Sequence, residues 1–364
     1  MPIAHPLLCG REREYVLECI DTTWISSVGK FIAQFESEFA RYLGARHAIA
    51  VSSGTVALHA ALLGYGVKAG DEVIVPTMTF VSTANAVAYC GATPVLVDSE
   101  RGTFNIDPTG IERAITPKTR GIIPVHLYGH PANMNAIGEI AKRHGLFVLE
   151  DAAEALGATY HGKFAGNLGG CSTFSFFGNK TITTGEGGMI VTNDDELAAQ
   201  MRLIKGQGMD PNRRYWFPIV GYNYRMTNVA AAIGLAQLEQ IDTHLGRRAE
   251  VRRWYDELLA GQDARILRPP VEDGVQSSTW MYTIALHDAV SRERDDVMRA
   301  MGERGVETRP VFYPMHVMPV FEADSKAFPV ATWYGECGIS LPTHGLLTRE
   351  DVEYVVKALV ESLD

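Results

Sequence analysis

Short hydrophobic runs alternate with segments of helical length over the first 150 residues. The candidate strands are HAIAV (47–51), DEVIVP (71–76), TPVLVD (93–98), RGIIPVHL (120–127) and LFVLED (146–151). The candidate helices lie between them, at 55–66, 81–91, 107–115 and 133–145. This alternation predicts βαβ units, and therefore a mostly parallel sheet that is covered by helices on both faces.

The pattern changes in the second half of the chain. Two strand-like segments, 171–177 and 187–193, flank a polar stretch, and helical segments then dominate, with a break predicted near Gly246. Further on, WMYTIAL predicts a strand and SRERDDVMRAMGERG predicts an amphipathic helix. We therefore predict an α/β fold. Residues 1–250, which begin with an N-terminal helix, form the large domain with the mostly parallel sheet, and residues 251–364 form a smaller α+β domain.

The composition is that of an ordinary globular protein, since 46% of the 364 residues are hydrophobic and 21% are charged. A net charge of −10 without a basic tail argues against nucleic acid as the main partner, because phosphate binding needs clustered Lys and Arg. The five cysteines are odd in number and include no C-x-x-C pair, so neither a disulfide framework nor a zinc site is expected. A reducing cytoplasm suits them best.

Two uncharged stretches, 47–67 and 73–97, exceed the length of a membrane-spanning helix. The first contains the turn-forming run 52–55 and the second contains two prolines, so both fit strand–turn–helix units of a buried parallel sheet better. The N-terminus has neither a basic start nor a long apolar run, and no signal peptide is expected. Neither a membrane span nor a membrane partner is predicted.

Three polar sites follow predicted strands, where an open α/β fold binds its ligands. Ser53, Gly54 and Thr55 begin a helix and can bind a phosphate through its N-terminus; the alternative is a capped helix start. Asp151 ends a buried strand, so its carboxylate needs a cationic or N–H partner. Lys180 lies between an aromatic strand and a Thr- and Gly-rich turn, which suits Schiff-base chemistry; the alternative is a solvated loop lysine.

A phosphate site, a buried carboxylate and a Schiff-base lysine are together the three anchors of pyridoxal 5′-phosphate (PLP). The carboxylate would keep the pyridine nitrogen protonated, so that the ring accepts electrons from the substrate carbon. The order of the three along one α/β domain predicts a PLP site. By contrast, His126 and His130 lack a third ligand of matching spacing, and no metal site is predicted.

Five segments carry a specific resemblance: VSSGTVALHAAL, VIVPTMTFVSTANAV, EDAAEALGA, STFSFFGNKTITTGEGGMI and GYNYRMTNVAAAIGLAQL. They resemble the DegT/DnrJ/EryC1/StrS aminotransferases, which are fold-type I PLP enzymes that aminate nucleotide-linked keto-sugars. The likeness extends over nearly the whole chain. It implies a fold-type I PLP aminotransferase, with PLP as the cofactor.

The resemblance also implies the roles of individual residues. Lys180 matches the lysine that binds PLP covalently, and Asp151 matches the partner of the pyridine nitrogen. Many relatives have Gln at the position of Glu154, near the 3-oxygen of the cofactor, whereas Glu is common in one branch of the family. The match leaves the protonation state of Glu154 open.

Five further residues match the phosphate end and the ring face of the family's cofactor site. Gly54 and Thr55 match the phosphate-binding turn, and Ser175 matches a serine whose hydroxyl contacts the same phosphate. Phe80 matches an aromatic residue over the cofactor ring, with simple core packing as the alternative. Asn223 matches a residue that reaches the phosphate from the neighbouring subunit, which implies a homodimer with shared active sites.

Other segments, among them TTWISSVGKF and RPVFYPMHVMP, are most similar to the branch that uses L-glutamate to aminate C4 of GDP-4-keto-6-deoxy-D-mannose. Trp24, Arg309, Tyr313 and His316 are candidate nucleotide-sugar contacts, each with ordinary packing or surface exposure as its alternative. Three other functions stay open. They are amination of a dTDP- or UDP-linked sugar, a GDP-sugar 3-dehydration that uses His in place of the covalent lysine, and regulation by ligand binding.

Overall fold

The computed structural model describes all residues, 1–364. The strands are β1 (His47–Val51), β2 (Glu72–Pro76), β3 (Thr93–Val97), β4 (Thr119–Ile122), β5 (Phe147–Asp151), β6 (Thr159–Tyr160), β7 (Lys163–Phe164), β8 (Cys171–Ser175), β9 (Gly188–Thr192), β10 (Ile266–Leu267), β11 (Val275–Gln276), β12 (Tyr282–Leu286), β13 (Arg309–Pro310) and β14 (Gly338–Leu341). The α-helices are α1 (Glu12–Asp21), α2 (Lys30–Leu43), α3 (Gly54–Gly64), α4 (Ser82–Tyr89), α5 (Pro108–Ala114), α6 (Met134–His144), α7 (Asp195–Lys205), α8 (Asn228–Leu238), α9 (Ile241–Leu258), α10 (Arg294–Glu303), α11 (Pro329–Cys337) and α12 (Arg349–Ser362).

A seven-stranded sheet in the order β1-β9-β8-β5-β4-β2-β3 forms the larger part of the molecule. Strands β2, β3, β4, β5 and β8 run parallel, and β9 is antiparallel to both of its neighbours. Because β1 is antiparallel to β9 in turn, β1, β5 and β8 point the same way. Their carboxyl ends therefore meet at one edge of the sheet, where the polar sites of the sequence follow them.

Helix α2 is absent from the elements predicted by the sequence. Its Phe31, Phe35 and Phe39 recur every four residues. They are buried in one cluster with Phe174 of β8 and with Phe176, which follows β8. The rings of Phe39 and Phe174 meet edge to face at 5.0 Å. This stripe at helical spacing is the signal that identifies the helix.

The predicted break near Gly246 is wrong. Helix α8 ends at Leu238 and α9 begins at Ile241, so the interruption falls at residues 239–240. Gly246 lies within α9 at a position where a Cβ would meet nothing within 4 Å. A glycine there weakens the helix only modestly, and the flanking turns continue through it.

Four antiparallel strands in the order β10-β12-β14-β13 form a second sheet. Helices α9, α10 and α12 cover it, and Val251, Tyr255 and Tyr282 are fully buried in the resulting core. Residue 250 lies inside α9, so the division into 1–250 and 251–364 stays a prediction. No helix of the chain combines the length and the apolar character needed to cross a membrane.

The guanidinium of Arg248 connects α9 with the second sheet. Its Nη1 donates to the carbonyl oxygens of Trp280 at 2.9 Å and of Thr343 at 3.3 Å. His244, one turn earlier on α9, and His344 are both buried, and three of their ring nitrogens have no hydrogen-bond partner. Burial lowers the pKa of each imidazole to about 4, with Arg248 adding to the effect, so both rings are neutral at pH 7.

We expect acid to destabilise the protein through these two rings. The folded-state pKa of about 4 lies below the ordinary 6.5, so the unfolded chain takes up the proton first, and stability is lost as the pH falls from 6.5 to 4. Such a shift corresponds to at most about 3 kcal/mol for each ring. Urea unfolding of His344→Phe should show a shallower decline in unfolding free energy over this range than the unmodified protein.

The exposed His144 provides a matched control. His144 contacts only the exposed Glu112, at 3.5 Å, and an exposed pair of this kind contributes little. His144→Gln should therefore show the same steep decline between pH 6.5 and 4 as the unmodified protein. If the curves of His344→Phe and the unmodified protein run parallel, the burial of His344 does not control the acid sensitivity.

Candidate active site

A cavity of about 520 Å³ opens where β1, β5 and β8 end. The candidate residues that line it are Ser53, Gly54, Thr55, Phe80, Asp151, Glu154, Ser175, Lys180 and Arg309. All but Arg309 belong to the large-sheet part of the chain, and Arg309 belongs to β13 of the second sheet. The cavity therefore lies between the carboxyl edge of the large sheet and the smaller sheet, where open α/β folds bind ligands.

The N-terminus of α3 lies at this cavity. Ser53 is its N-cap residue, and the Ser53 side chain accepts a hydrogen bond from the Val56 N–H at 3.4 Å. A Cβ on Gly54 would lie 2.9 Å from the Cβ of Ser175, so only glycine allows the serine to approach the helix start this closely. The helix start is therefore capped, as the alternative to a phosphate site proposed. The hydroxyls and the first-turn N–H groups together still form a site suited to a phosphate.

The carboxylate of Asp151 is 5% exposed and lines the cavity at the end of β5. Its Oδ2 accepts a hydrogen bond from the Thr83 hydroxyl at 2.8 Å, and its Oδ1 accepts one from the Ala153 N–H at 3.2 Å. Burial raises the pKa of Asp151, and the two hydrogen bonds and the charge of Lys180 partly offset the rise. A cationic N–H group bound in the cavity would stabilise the ionised form.

The adjacent Glu150 points to the opposite face of β5 and is fully buried. Its Oε2 accepts a hydrogen bond from the Nε2 of His126 at 2.9 Å, and three backbone N–H groups of residues 166–169 donate to its two oxygens. The Nδ1 of His126 accepts the Ala132 N–H at 3.1 Å. Glu150 and His126 therefore stabilise the fold through their hydrogen bonds. Of the two neighbouring carboxylates, only Asp151 faces the cavity.

Lys180 lies against two groups of the cavity wall. Its Nζ is 3.3 Å from the Oε1 of Glu154 and 3.8 Å from the centre of the Trp280 ring. Glu154 is held in turn by the Tyr128 N–H, which donates to its Oε2 at 2.9 Å. Burial raises the pKa of Glu154, and Lys180 opposes this shift. The Lys180 side chain is only 13% exposed, so a solvated loop lysine does not describe it.

Phe80 and Ser175 supply an aromatic face and a hydroxyl to the same cavity. Phe80 is 55% exposed and its ring centre lies 5.8 Å from that of Phe312, so simple core packing does not describe it. Ser175 alternates with Phe174 and Phe176, whose rings are buried on the other side. Of residues 174–176, only Ser175 therefore directs its side chain to the cavity.

Three candidate residues are exposed and lie away from the cavity lining. Trp24 and Tyr313 are about half exposed, and neither lines the cavity. Asn223 is also exposed, and its Oδ1 accepts hydrogen bonds from the Arg225 guanidinium at 3.1 and 3.2 Å. Within one chain, these three side chains do not join the site.

His316 is buried and does not line the cavity. Its Nδ1 is 2.8 Å from the Thr77 hydroxyl oxygen, and its Nε2 is 3.0 Å from that of Thr332. Its ring stacks on Phe328 at 4.5 Å, and burial lowers its pKa. Of the two alternatives weighed for this residue, the structure shows packing.

Sequence reasoning missed three residues that hold the predicted ones in place. Thr83 donates to Asp151, Tyr128 donates to Glu154 through its backbone, and Trp280 contacts Lys180. Thr83 stands in the Thr-rich segment after β2, where a hydroxyl beside a buried carboxylate could have been looked for. Nothing in the local sequence around Trp280 indicates its contact, because Lys180 is a hundred residues away.

Comparison with known proteins places this geometry in a family. The DegT/DnrJ/EryC1/StrS aminotransferase family model matches residues 8–360. GDP-perosamine synthase of Caulobacter vibrioides is 57% identical to this chain, covering 99% of this chain and 98% of the relative. The enzyme of the same name from Escherichia coli O157:H7 is 47% identical, with coverage of 99% and 98%.

Solved structures of aminotransferases also superpose on this chain. The PLP form of the putative sugar aminotransferase Spr1654 from Streptococcus pneumoniae superposes with a TM-score of 0.95 at 27% identity, covering 100% of this chain and 98% of that one. S. venezuelae DesV superposes with a TM-score of 0.91 at 35% identity, covering 97% and 94%. The predicted fold class and the resemblance are both confirmed. The chain belongs to the DegT/DnrJ/EryC1/StrS aminotransferase family.

Proposed function

We propose that this chain uses PLP to transfer the amino group of L-glutamate to C4 of GDP-4-keto-6-deoxy-D-mannose. The product, GDP-perosamine, is a sugar donor for O-antigen polysaccharide. The substrate assignment rests on the 57% identity to the Caulobacter vibrioides GDP-perosamine synthase over nearly the full length of both chains. The cavity supports the chemistry, because it brings together Lys180, Asp151 and a helix N-terminus.

The residues at the cavity fit PLP. The start of α3, residues 53–55, and the Ser175 hydroxyl would bind the phosphate, and Phe80 would lie beside the ring. Asp151 would pair with the pyridine nitrogen, whose positive charge favours the ionised carboxylate against the effect of burial. When bound, PLP stabilises the carbanion formed at the amino-acid Cα.

Lys180 would perform the proton transfers. Its amine would take up the proton from Cα of glutamate and then release it, and the same amine would move a proton in the reverse direction when the keto-sugar is the acceptor. One amine serves both steps because it alternates between its protonated and neutral forms. Glu154, 3.3 Å from Nζ, keeps the amine at this wall of the cavity.

A second candidate function is regulation by ligand binding. A protein of Geobacillus stearothermophilus described as a pleiotropic regulatory protein is 40% identical over 95% of this chain. A regulator has no need of a buried lysine beside two buried carboxylates, which favours the enzyme. Colour separates the two, because an aminotransferase purified with PLP is yellow and bleaches with glutamate. The presence of Lys180 also disfavours the 3-dehydratase, which has His at that position.

We expect the GDP-linked keto-sugar to be the preferred acceptor. Purified protein with glutamate should convert it to a product of the mass of GDP-perosamine. Its kcat/KM should exceed those of the dTDP- and UDP-linked 4-keto-6-deoxy sugars. A tenfold preference for either competitor, about 1.4 kcal/mol of transition-state binding, would assign the enzyme to another branch of the family.

We expect borohydride to fix PLP to Lys180. Reduction followed by peptide mapping should place the label on that residue alone, since it is the lysine of the cavity. Lys180→Ala should bind PLP without covalent attachment and should lose turnover. A label on Lys205, which is also largely buried but pairs with Glu36, would refute the assignment.

We further propose a homodimer in which Asn223 reaches the phosphate site of the partner. Asn223 follows an exposed segment with several large apolar side chains: Tyr215, Trp216, Phe217 and Val220. A contiguous run of this kind is typical of an interface between proteins, and closed twofold dimers are the commonest oligomers.

We place the dimer in the cytoplasm, because a reducing compartment suits five free cysteines.

Mixing an inactive variant with an impaired one tests the shared site. Lys180→Ala and an impaired Asn223→Ala should regain activity on subunit exchange, because the heterodimer collects both lesions in one site and leaves the other intact. Random exchange of equal amounts should restore about a quarter of the sites in a twofold dimer. Lys180→Ala mixed with the double variant is the control and should stay inactive. Exchange without recovery would argue against a shared site.

A further inference from the structure

Trp280 contacts Lys180 in two ways. Its indole Nε1–H donates to the carbonyl oxygen of Asn179 at 2.8 Å, which holds the backbone directly before the lysine. Its ring centre lies 3.8 Å from the Lys180 Nζ. One side chain thus holds both the backbone and the amine of the lysine.

Trp280 is itself fixed in place. It is 4% exposed, and its carbonyl oxygen accepts the hydrogen bond from Arg248 at 2.9 Å. Its ring lies nearly parallel to that of Tyr128, with an angle of 6° and 6.3 Å between centres, and to that of Phe312. The surface that meets the amine is therefore a rigid part of the cavity wall.

The amine lies between an aromatic ring and a carboxylate. The face of an indole carries partial negative charge and attracts a cation, and Glu154 lies 3.3 Å from the same Nζ. Both contacts favour the ammonium form, and neither is covalent. Together, Trp280 and Glu154 form a non-covalent binding site that keeps the amine inside the cavity.

We propose that Trp280 is a positioning residue for Lys180: its ring and Glu154 form the resting site of the amine whenever the amine is not bonded to the cofactor. The inference rests on the proposed function of Lys180. Transamination frees this amine and recaptures it in each half-reaction, and a fixed resting site keeps it within reach. Trp280 then affects the steps that involve the amine and leaves non-covalent binding of PLP unaffected.

The test uses the rate at which added PLP becomes covalently attached to the apoenzyme, followed by absorbance without substrates. Trp280→Leu removes the ring and the N–H that hold the amine and Asn179 in place. The amine then reaches the cofactor less often, so attachment should slow about tenfold. Trp280→Phe keeps a ring and should recover most of the rate. Trp333→Phe, a tryptophan outside the cavity, should match the unmodified protein.

A background of Lys180→Ala separates positioning from a structural role. There, Trp280→Leu should leave the dissociation constant for PLP unchanged, because no amine remains to be positioned. With Lys180 present, Trp280→Leu should also lower kcat with little change in KM for the keto-sugar. If Trp280→Leu does not fold, as judged by its thermal midpoint, Trp280→Met replaces it as a flexible side chain without a ring.

Each outcome has a distinct meaning. Equal weakening of PLP binding with and without Lys180 would make Trp280 merely structural, and unchanged attachment in the leucine variant would overturn the inference. If the unmodified chain fails to attach PLP at all, the proposed function fails. If it attaches PLP and all Trp280 variants do so equally fast, only the positioning role fails.

Discussion

A carboxyl group buried at the end of β5 is the constraint around which the cavity is organised. Asp151 is almost wholly removed from water, and the Thr83 hydroxyl and the Ala153 N–H stabilise it only in part. The neighbouring Glu150 would repel it if both faced the cavity. The alternation of the strand directs Glu150 to the other face, where His126 and backbone N–H groups satisfy it. Because the two residues are adjacent on the strand, one carboxylate stabilises the fold and the other faces the cavity.

Much of this arrangement follows from the sequence, because a strand buried on both faces leaves a simple signature of consecutive apolar residues. All the predicted strands exist, although 120–127 forms a strand only to Ile122. Parallel strands end at a common edge, so residues that follow β1, β5 and β8 converge without any knowledge of side-chain packing. This is why residues 53–55, Asp151 and Lys180 could be grouped before their distances were known.

The remaining features depend on contacts that local pattern does not encode. Trp280 meets Lys180 across about a hundred residues, and the burial of His316 depends on Thr77 and Thr332 from separate segments. The misplaced break at Gly246 has a local cause. Glycine lowers helix propensity by only about 1 kcal/mol relative to alanine, which the rest of a long helix readily outweighs. Propensity alone was therefore a poor guide to the end of α8.

The path of α9 determines where a chimera between two related proteins can be joined. Arg248 lies on this helix, whereas the carbonyl groups that it binds, those of Trp280 and Thr343, lie further along the chain. A chimera joined at residue 250 would take the guanidinium from one parent and its acceptors from the other. A junction at residues 239–240 lies between two helices, so Arg248, Trp280 and Thr343 would all come from the same parent. The hydrogen bond that fixes Trp280 beside Lys180 would then be preserved.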